Sequence, residues 1–147
     1  MFQQLMRNRR IVGEVKYGRA SGRRGEVDCL HQIRARLDRW ESTRNTEFLV
    51  DVANYIMLEY LCFYPERGND DCGYTWTDDL FPLRSPEARK LTVAACHTVL
   101  SQMLDQYYWN GGTAALWYAM FYTHRLFDAA GGVSRMSAFD SGGRWTL

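Results

Sequence analysis

Three oxygen-bearing side chains recur at helical spacing in TEFLVDVANYIMLEYLCF, residues 46–63: Glu47, Asp51 and Asn54, at i, i+4 and i+7. At about 100° per residue they share one stripe about 60° wide, and Glu59 lies about a third of a turn away from it. The remainder of the segment is apolar nearly all round: Phe48, Leu49, Val50, Val52, Ala53, Tyr55, Ile56, Met57 and Leu58. A helix apolar on every side belongs at the centre of a fold. A carboxylate there is costly unless it is paired, hydrogen-bonded or metal-bound. Two chemistries answer that cost. One is an ion pair with an arginine of the preceding helix, Arg34 or Arg36, with Asn54 tying a loop and Glu47 solvated in the first turn. The other is a hard cation, because oxygen ligands on one helical face suit Mg²⁺, which keeps several waters and bridges to phosphate.

The elements that must position this stripe follow from the apolar spacing. Leu30, Ile33, Leu37 and Trp40 fall at i, i+3, i+7 and i+10, which predicts an amphipathic helix over 26–41. Asn45 reads as the N-cap of the apolar helix, which is expected to run to about residue 63. Ser85-Pro86-Glu87 combines a capping serine, a first-turn proline and an acid, and predicts a third helix to about Tyr108. Its inner face is Val93, Cys96, Leu100, Leu104 and Tyr107. After Gly111-Gly112, Thr113 reads as the cap of a fourth helix to about Ala130, closed by Gly131. That helix has two apolar stripes, Trp117, Phe121 and His124 on one and Leu116, Ala119, Met120, Thr123 and Phe127 on the other. Such a helix is central or forms a homodimer interface. RIVGEVKY, residues 10–17, is the one alternating strand candidate. The expected architecture is one all-α domain over 1–147, a bundle of four to five helices. It comprises a basic arm and loop over 1–25, a helical core over 26–130 and an irregular tail over 131–147.

Length and composition bound the rest. With 147 residues, 46% hydrophobic and 24% charged, the chain has material for one core. The formal net charge of +1 gives no bulk argument for nucleic acid. The charge is nonetheless asymmetric: residues 1–44 hold eleven Arg/Lys against five Asp/Glu, and residues 45–147 hold seven against twelve. Four cysteines with no CxxC spacing exclude a zinc ribbon and a thioredoxin-type site. No apolar run approaches the length of a membrane span, and MFQQLMRNRR has no apolar region behind its basic end, so no secretory signal is read. The expected setting is a reducing cytoplasm with free thiols.

With LVDVANY (Leu49 to Tyr55) and KYGR (Lys16 to Arg19) in view, residues 16–63 resemble the MazG-like all-α nucleoside triphosphate pyrophosphohydrolases, including their small phage-type relatives. The resemblance implies a helical, often dimeric protein, here in the host cytoplasm if phage-encoded. It implies Mg²⁺ held between acids of two adjacent central helices and water attack on a phosphoanhydride that releases pyrophosphate. By that analogy and by spacing, Asp38, Glu41, Glu47 and Asp51 ligate Mg²⁺, with Glu47 and Asp51 central to catalysis. Lys16, Arg23 and Arg24, from a glycine-bearing loop, hold the triphosphate. Asn54 lies on the same stripe, and Tyr55 or Trp40 stacks on the base. The family shows ExxE and ExxD pairs. Here the first pair is DxxE and the second has spacing four, which also fits a degenerate member that binds without turnover.

The rival reading is a small phage-type inhibitor that blocks a host protein or nucleoprotein complex without catalysis. Its contact surface is the arginine-rich arm or the acidic loop, where Asp70, Asp71, Asp78 and Asp79 interleave with Tyr74 and Trp76 and could mimic nucleic acid. Direct nucleic-acid binding through residues 7–24 ranks behind both. His97 reads as a satisfied core histidine. Zinc held by Cys62, Cys72 and His97 has no support from their spacing.

Overall fold

A computed structural model of the chain describes residues 2–17, 28–62 and 91–136. Within them the helices are α1 Phe2–Tyr17, α2 Cys29–Thr43, α3 Glu47–Cys62, α4 Val93–Asn110 and α5 Thr113–Ala129, followed by a 3-10 turn at Gly132–Arg135. No strand occurs among the described residues. This is the all-α bundle that the apolar spacing predicts.

Helix α3 is the axis. Leu49, Val50, Val52, Ala53, Ile56, Met57 and Leu58 are buried, because α1, α2 and α5 pack around it. A helix covered on three sides must be apolar on three sides. Helix α2 buries Ile33, Leu37 and Trp40 against it, with Leu30 at the edge of the same stripe. Helix α4 buries Cys96, Leu100 and Leu104 and packs on α5. The two stripes of α5 separate cleanly: Leu116, Ala119, Met120, Thr123 and Phe127 are buried, whereas Trp117, Phe121 and His124 are half-buried.

Local capping sets the α2–α3 corner. Asp28 precedes α2 and accepts from the His31 N–H at 3.0 Å. The helix ends at Arg44, whose left-handed φ of 58° lets its N–H donate to the Trp40 carbonyl. Helix α3 begins at Glu47, so Thr46 rather than Asn45 stands at the cap position; Asn45, one residue earlier, accepts through Oδ1 from the Glu47 N–H at 3.1 Å. Thr46, fully buried, donates its hydroxyl to the Gly132 carbonyl and its N–H to the Arg135 carbonyl, so the 3-10 turn is tied to this corner.

Three boundaries differ from expectation. The basic arm and the strand candidate at 10–17 are replaced, over residues 2–17, by α1. Phe2, Leu5 and Met6 form a short apolar stripe at i, i+3 and i+4 that is buried in the core, with Phe2 against His124 and Phe127 of α5, and burial of that stripe outweighs the β-branched run Ile11-Val12. Helix α4 starts at Val93 rather than following on from Pro86. Leu91 and Thr92 are not helical, and Thr92 Oγ1 caps by accepting from the Ala95 N–H. Thr113 is the first residue of α5, not its cap, which is Gly112. Ser85, the acidic loop and residues 137–147 of the tail lie outside the described residues. No described helix is long and apolar enough to cross a membrane.

Candidate functional site

The face of α3 that carries Glu47, Asp51 and Asn54 is turned toward α1. Arg9 of α1 grips Asp51 with both arms of its guanidinium: Nε donates to Oδ1 and Nη2 to Oδ2, each at 3.0 Å. Arg36 of α2 brings its Nε to 3.9 Å from Asp51 Oδ2 and sets its guanidinium 5.9 Å from the Tyr55 ring centre. Asn54 Nδ2 donates to the Met6 carbonyl at 3.1 Å, tying α1 rather than a loop. The Asp51 side chain is only 13% exposed. Burial alone would lower the Arg9 pKa, but the hydrogen bond from Arg9 to Asp51 and the charges of Asp51 and Glu47 outweigh it and raise the pKa. A fork-to-fork pair of this kind fixes orientation as well as charge.

The other acids of the expected magnesium set stand apart. Asp38 and Glu41 are exposed, and Glu41 Oε2 lies 4.0 Å from His97 Nε2. Glu47 is half-buried. Among the described residues no group of three or more His, Cys, Asp or Glu side chains is placed to hold a metal ion. As arranged, Asp38, Glu41, Glu47 and Asp51 do not fit Mg²⁺, because the acid at the centre of the set already has both oxygens bonded to a cation. Of the residues expected to hold the triphosphate, Lys16 lies in the last turn of α1 rather than in a loop, with its side chain outside the described residues, as are Arg23 and Arg24. The acidic-loop residues Asp70, Asp71, Tyr74, Trp76, Asp78 and Asp79 and the cysteines Cys72 and Cys62 (side chain) are outside them as well. Arg34 does not reach Asp51; it bonds Asp105 of α4 at 2.6 Å. His97 is half-buried, its ring 5.7 Å from that of Trp40.

A second site lies at the other end of α3, where no motif is written. Asp28, Cys29 and Leu30 from the start of α2, Glu59 from α3, and Tyr107, Tyr108 and Gly111 from the end of α4 line an open groove of about 350 Å³. The Tyr107 hydroxyl donates to Glu59. Burial pushes the Glu59 carboxyl above its ordinary range, the Tyr107 bond pulls it down, and the Asp28 charge pushes it up again, for a net rise. Beside the groove Tyr108 and Trp109 meet edge to face, 60% and 77% exposed. Tyr118 of α5 is 48% exposed. Gly111 and Gly112, at φ 69° and 89°, make the turn that brings these two helix ends together. The one signal available beforehand was Glu59 itself, an acid off the polar stripe of an otherwise apolar helix.

The raised pKa of Glu59 has a sign. A carboxyl whose folded pKa exceeds its unfolded value, near 4.5, contributes stability that is present below that value and lost as pH rises through the folded one. Glu59→Gln is therefore expected to melt above the parent at pH 7, with the advantage gone at pH 4. Equal differences at both pH values in thermal unfolding would remove this assignment. Cys96 behaves differently: burial raises its thiol pKa against the lowering charge of Arg125, so it stays an inert core thiol.

No protein-family model, curated protein or solved structure matches the chain.

Proposed function

We propose that this protein works by binding rather than by hydrolysis, as a small helical interaction protein of the inhibitor class that blocks a partner protein or nucleoprotein complex. The observation that carries this reading is the aromatic corner where α4 turns into α5. Tyr108 and Trp109 leave most of their surface in water. Exposed, rigid aromatic rings are the side chains that contribute most to protein interfaces. Pyrophosphohydrolysis with Mg²⁺, which the MazG-like resemblance implies, would require Arg9 and Arg36 to release Asp51, and Asp38 and Glu41 to converge on it. Nucleic-acid binding through residues 7–24 would have to do without Arg9, which is committed to Asp51.

The test has two arms. Purified protein incubated with the four ribonucleoside and four deoxyribonucleoside triphosphates and Mg²⁺ is expected to release no pyrophosphate. Release that is lost in Asp51→Asn would overturn the binding reading. In the second arm, a complex reconstituted from the purified chain and its isolated partner is expected to be stoichiometric. The Tyr108→Ser/Trp109→Ser variant is expected to bind at least about 30-fold more weakly, the loss typical of a hot-spot pair, with unchanged helicity. Sedimentation of the chain alone tells a second copy of itself from a foreign partner.

A further inference from the structure

We propose that the groove lined by Asp28, Leu30, Glu59, Tyr107, Tyr108 and Gly111 receives the guanidinium of an arginine carried by a basic segment of the partner protein. The inference rests on the binding reading and names the chemistry that the aromatic corner recognises.

Four observations converge on a cation. First, the groove holds two carboxylates and no compensating charge: among the described residues neither Asp28 nor Glu59 has an arginine or lysine within ion-pair distance. Elsewhere on the described surface Asp51 and Asp105 each have their arginine. Second, the acceptor capacity of both acids is only partly used. Asp28 gives Oδ1 to the His31 N–H, and Glu59 receives the Tyr107 hydroxyl through Oε2. The other oxygen of each remains for a donor entering the groove. Third, Tyr108 supplies an aromatic face at the rim, and guanidinium groups stack on such faces while bonding carboxylates in the same plane. Fourth, the open groove of about 350 Å³ has room for a guanidinium together with its side-chain stem.

The arrangement also costs the isolated protein stability. A half-buried carboxylate pushed toward protonation by its burial and by a neighbouring acid is what a fold keeps when a cation is to complete the site. Among the described residues the groups facing Glu59 are Tyr107 from α4 and Asp28 from the cap of α2, and neither is cationic. A peptide segment, rather than a free small cation, is favoured by Trp109 and Tyr108 standing beside the groove, where they can cover the flanking backbone.

The full chain, uniformly ¹⁵N-labelled, is titrated with a capped Gly-Ser-Arg-Ser-Gly peptide, its citrulline and lysine counterparts, and methylguanidinium. The arginine peptide is expected to shift the Gly111 amide and the Trp109 indole N–H. Citrulline, of the same shape without charge, is expected to leave both unmoved. Lysine and methylguanidinium are expected to bind at least about fivefold more weakly. Glu59→Gln, which keeps an acceptor for Tyr107, is expected to weaken the arginine peptide about tenfold or more, as is lowering the pH through the Glu59 titration. Equal shifts with citrulline, or an undiminished response in Glu59→Gln, overturn the proposal. Lysine or methylguanidinium binding as tightly as the arginine peptide overturns the assignment to an arginine of a segment. The partner complex is assayed in parallel. If it forms through Tyr108 and Trp109 while the peptide has no effect, only the groove assignment fails. If the peptide binds and no complex forms, the failure is that of the interaction reading.

Discussion

Asp51→Ala is expected to destabilise the fold by about 2–4 kcal/mol, a drop of about 5–15 °C in Tm for a chain of this size. Removing the carboxylate takes from Arg9, whose side chain is only 28% exposed, its bidentate partner, and leaves Arg36 beside it with only the charge of Glu47 to offset the two guanidinium groups in part. Breaking one half of a largely buried pair costs more than the pair contributes, because the surviving charge has lost its compensation. The sign of the effect separates the two chemistries that the α3 stripe allows. In a cluster of acids awaiting Mg²⁺, deletion of one carboxylate relieves repulsion and raises the Tm of the metal-free protein. In an arginine clasp, deletion lowers it, and Mg²⁺ changes nothing. The double variant Arg9→Met/Asp51→Ala is expected to recover at least half of the loss, since the methionine stem fills part of the arginine's path without its charge. Thermal unfolding of the two single variants and the double variant, with and without Mg²⁺, checks this. A rise in Tm on Asp51→Ala would return the stripe to the metal reading.

The parts of this structure that were legible in the sequence are those written in local periodicity. The stripe Ile33, Leu37 and Trp40 lies in the core as its spacing implies, and so does Cys96, Leu100 and Leu104. The all-round apolar character of residues 48–58 correctly marked the central helix. Helix α1 was hidden because its stripe is short: Phe2, Leu5 and Met6 bury, but the next residue on that face is Arg9, and a charge there reads as solvated arm. The same feature hid the main partner of Asp51. The need for a positive partner was legible, since a carboxylate on an apolar helix must be matched, but whether that partner is a guanidinium or a metal ion was not. Arg36 does stand near it, but the bidentate partner comes from 42 residues away, and no local pattern encodes which distant helix docks. The groove at Glu59 was out of reach for a related reason. It is assembled from the ends of three helices, so its seven lining residues have no common period. Glu59 and Tyr107 become neighbours only once α3 and α4 end at the same level of the bundle.

Trp40→Ala is expected to be the most damaging single truncation, at about 3–5 kcal/mol. The indole is 1% exposed and is the largest fully buried side chain described. It does two jobs at once. It fills the core where α2 approaches α4, beside the His97 ring at 5.7 Å. It also underlies the α2–α3 corner, with the Arg44 guanidinium 4.6 Å from its ring centre. Arg44 holds the left-handed conformation that ends α2, a backbone region with a cost for any residue bearing a Cβ. Stacking on Trp40 offsets part of that cost. Truncation therefore opens a cavity and releases the corner together, and amide exchange near Thr43 to Thr46 is expected to accelerate beyond what global destabilisation accounts for. Trp40→Phe separates the two contributions. The phenyl ring keeps an aromatic face for Arg44, loses part of the packing, and removes the indole Nε1, a buried donor with no acceptor among the described residues. Because deleting an unsatisfied donor is favourable by about 1–3 kcal/mol, the loss in Trp40→Phe is expected to be less than half that in Trp40→Ala. A phenylalanine variant as unstable as the alanine one would mean that the indole N–H has a partner after all and that volume is not what the site requires.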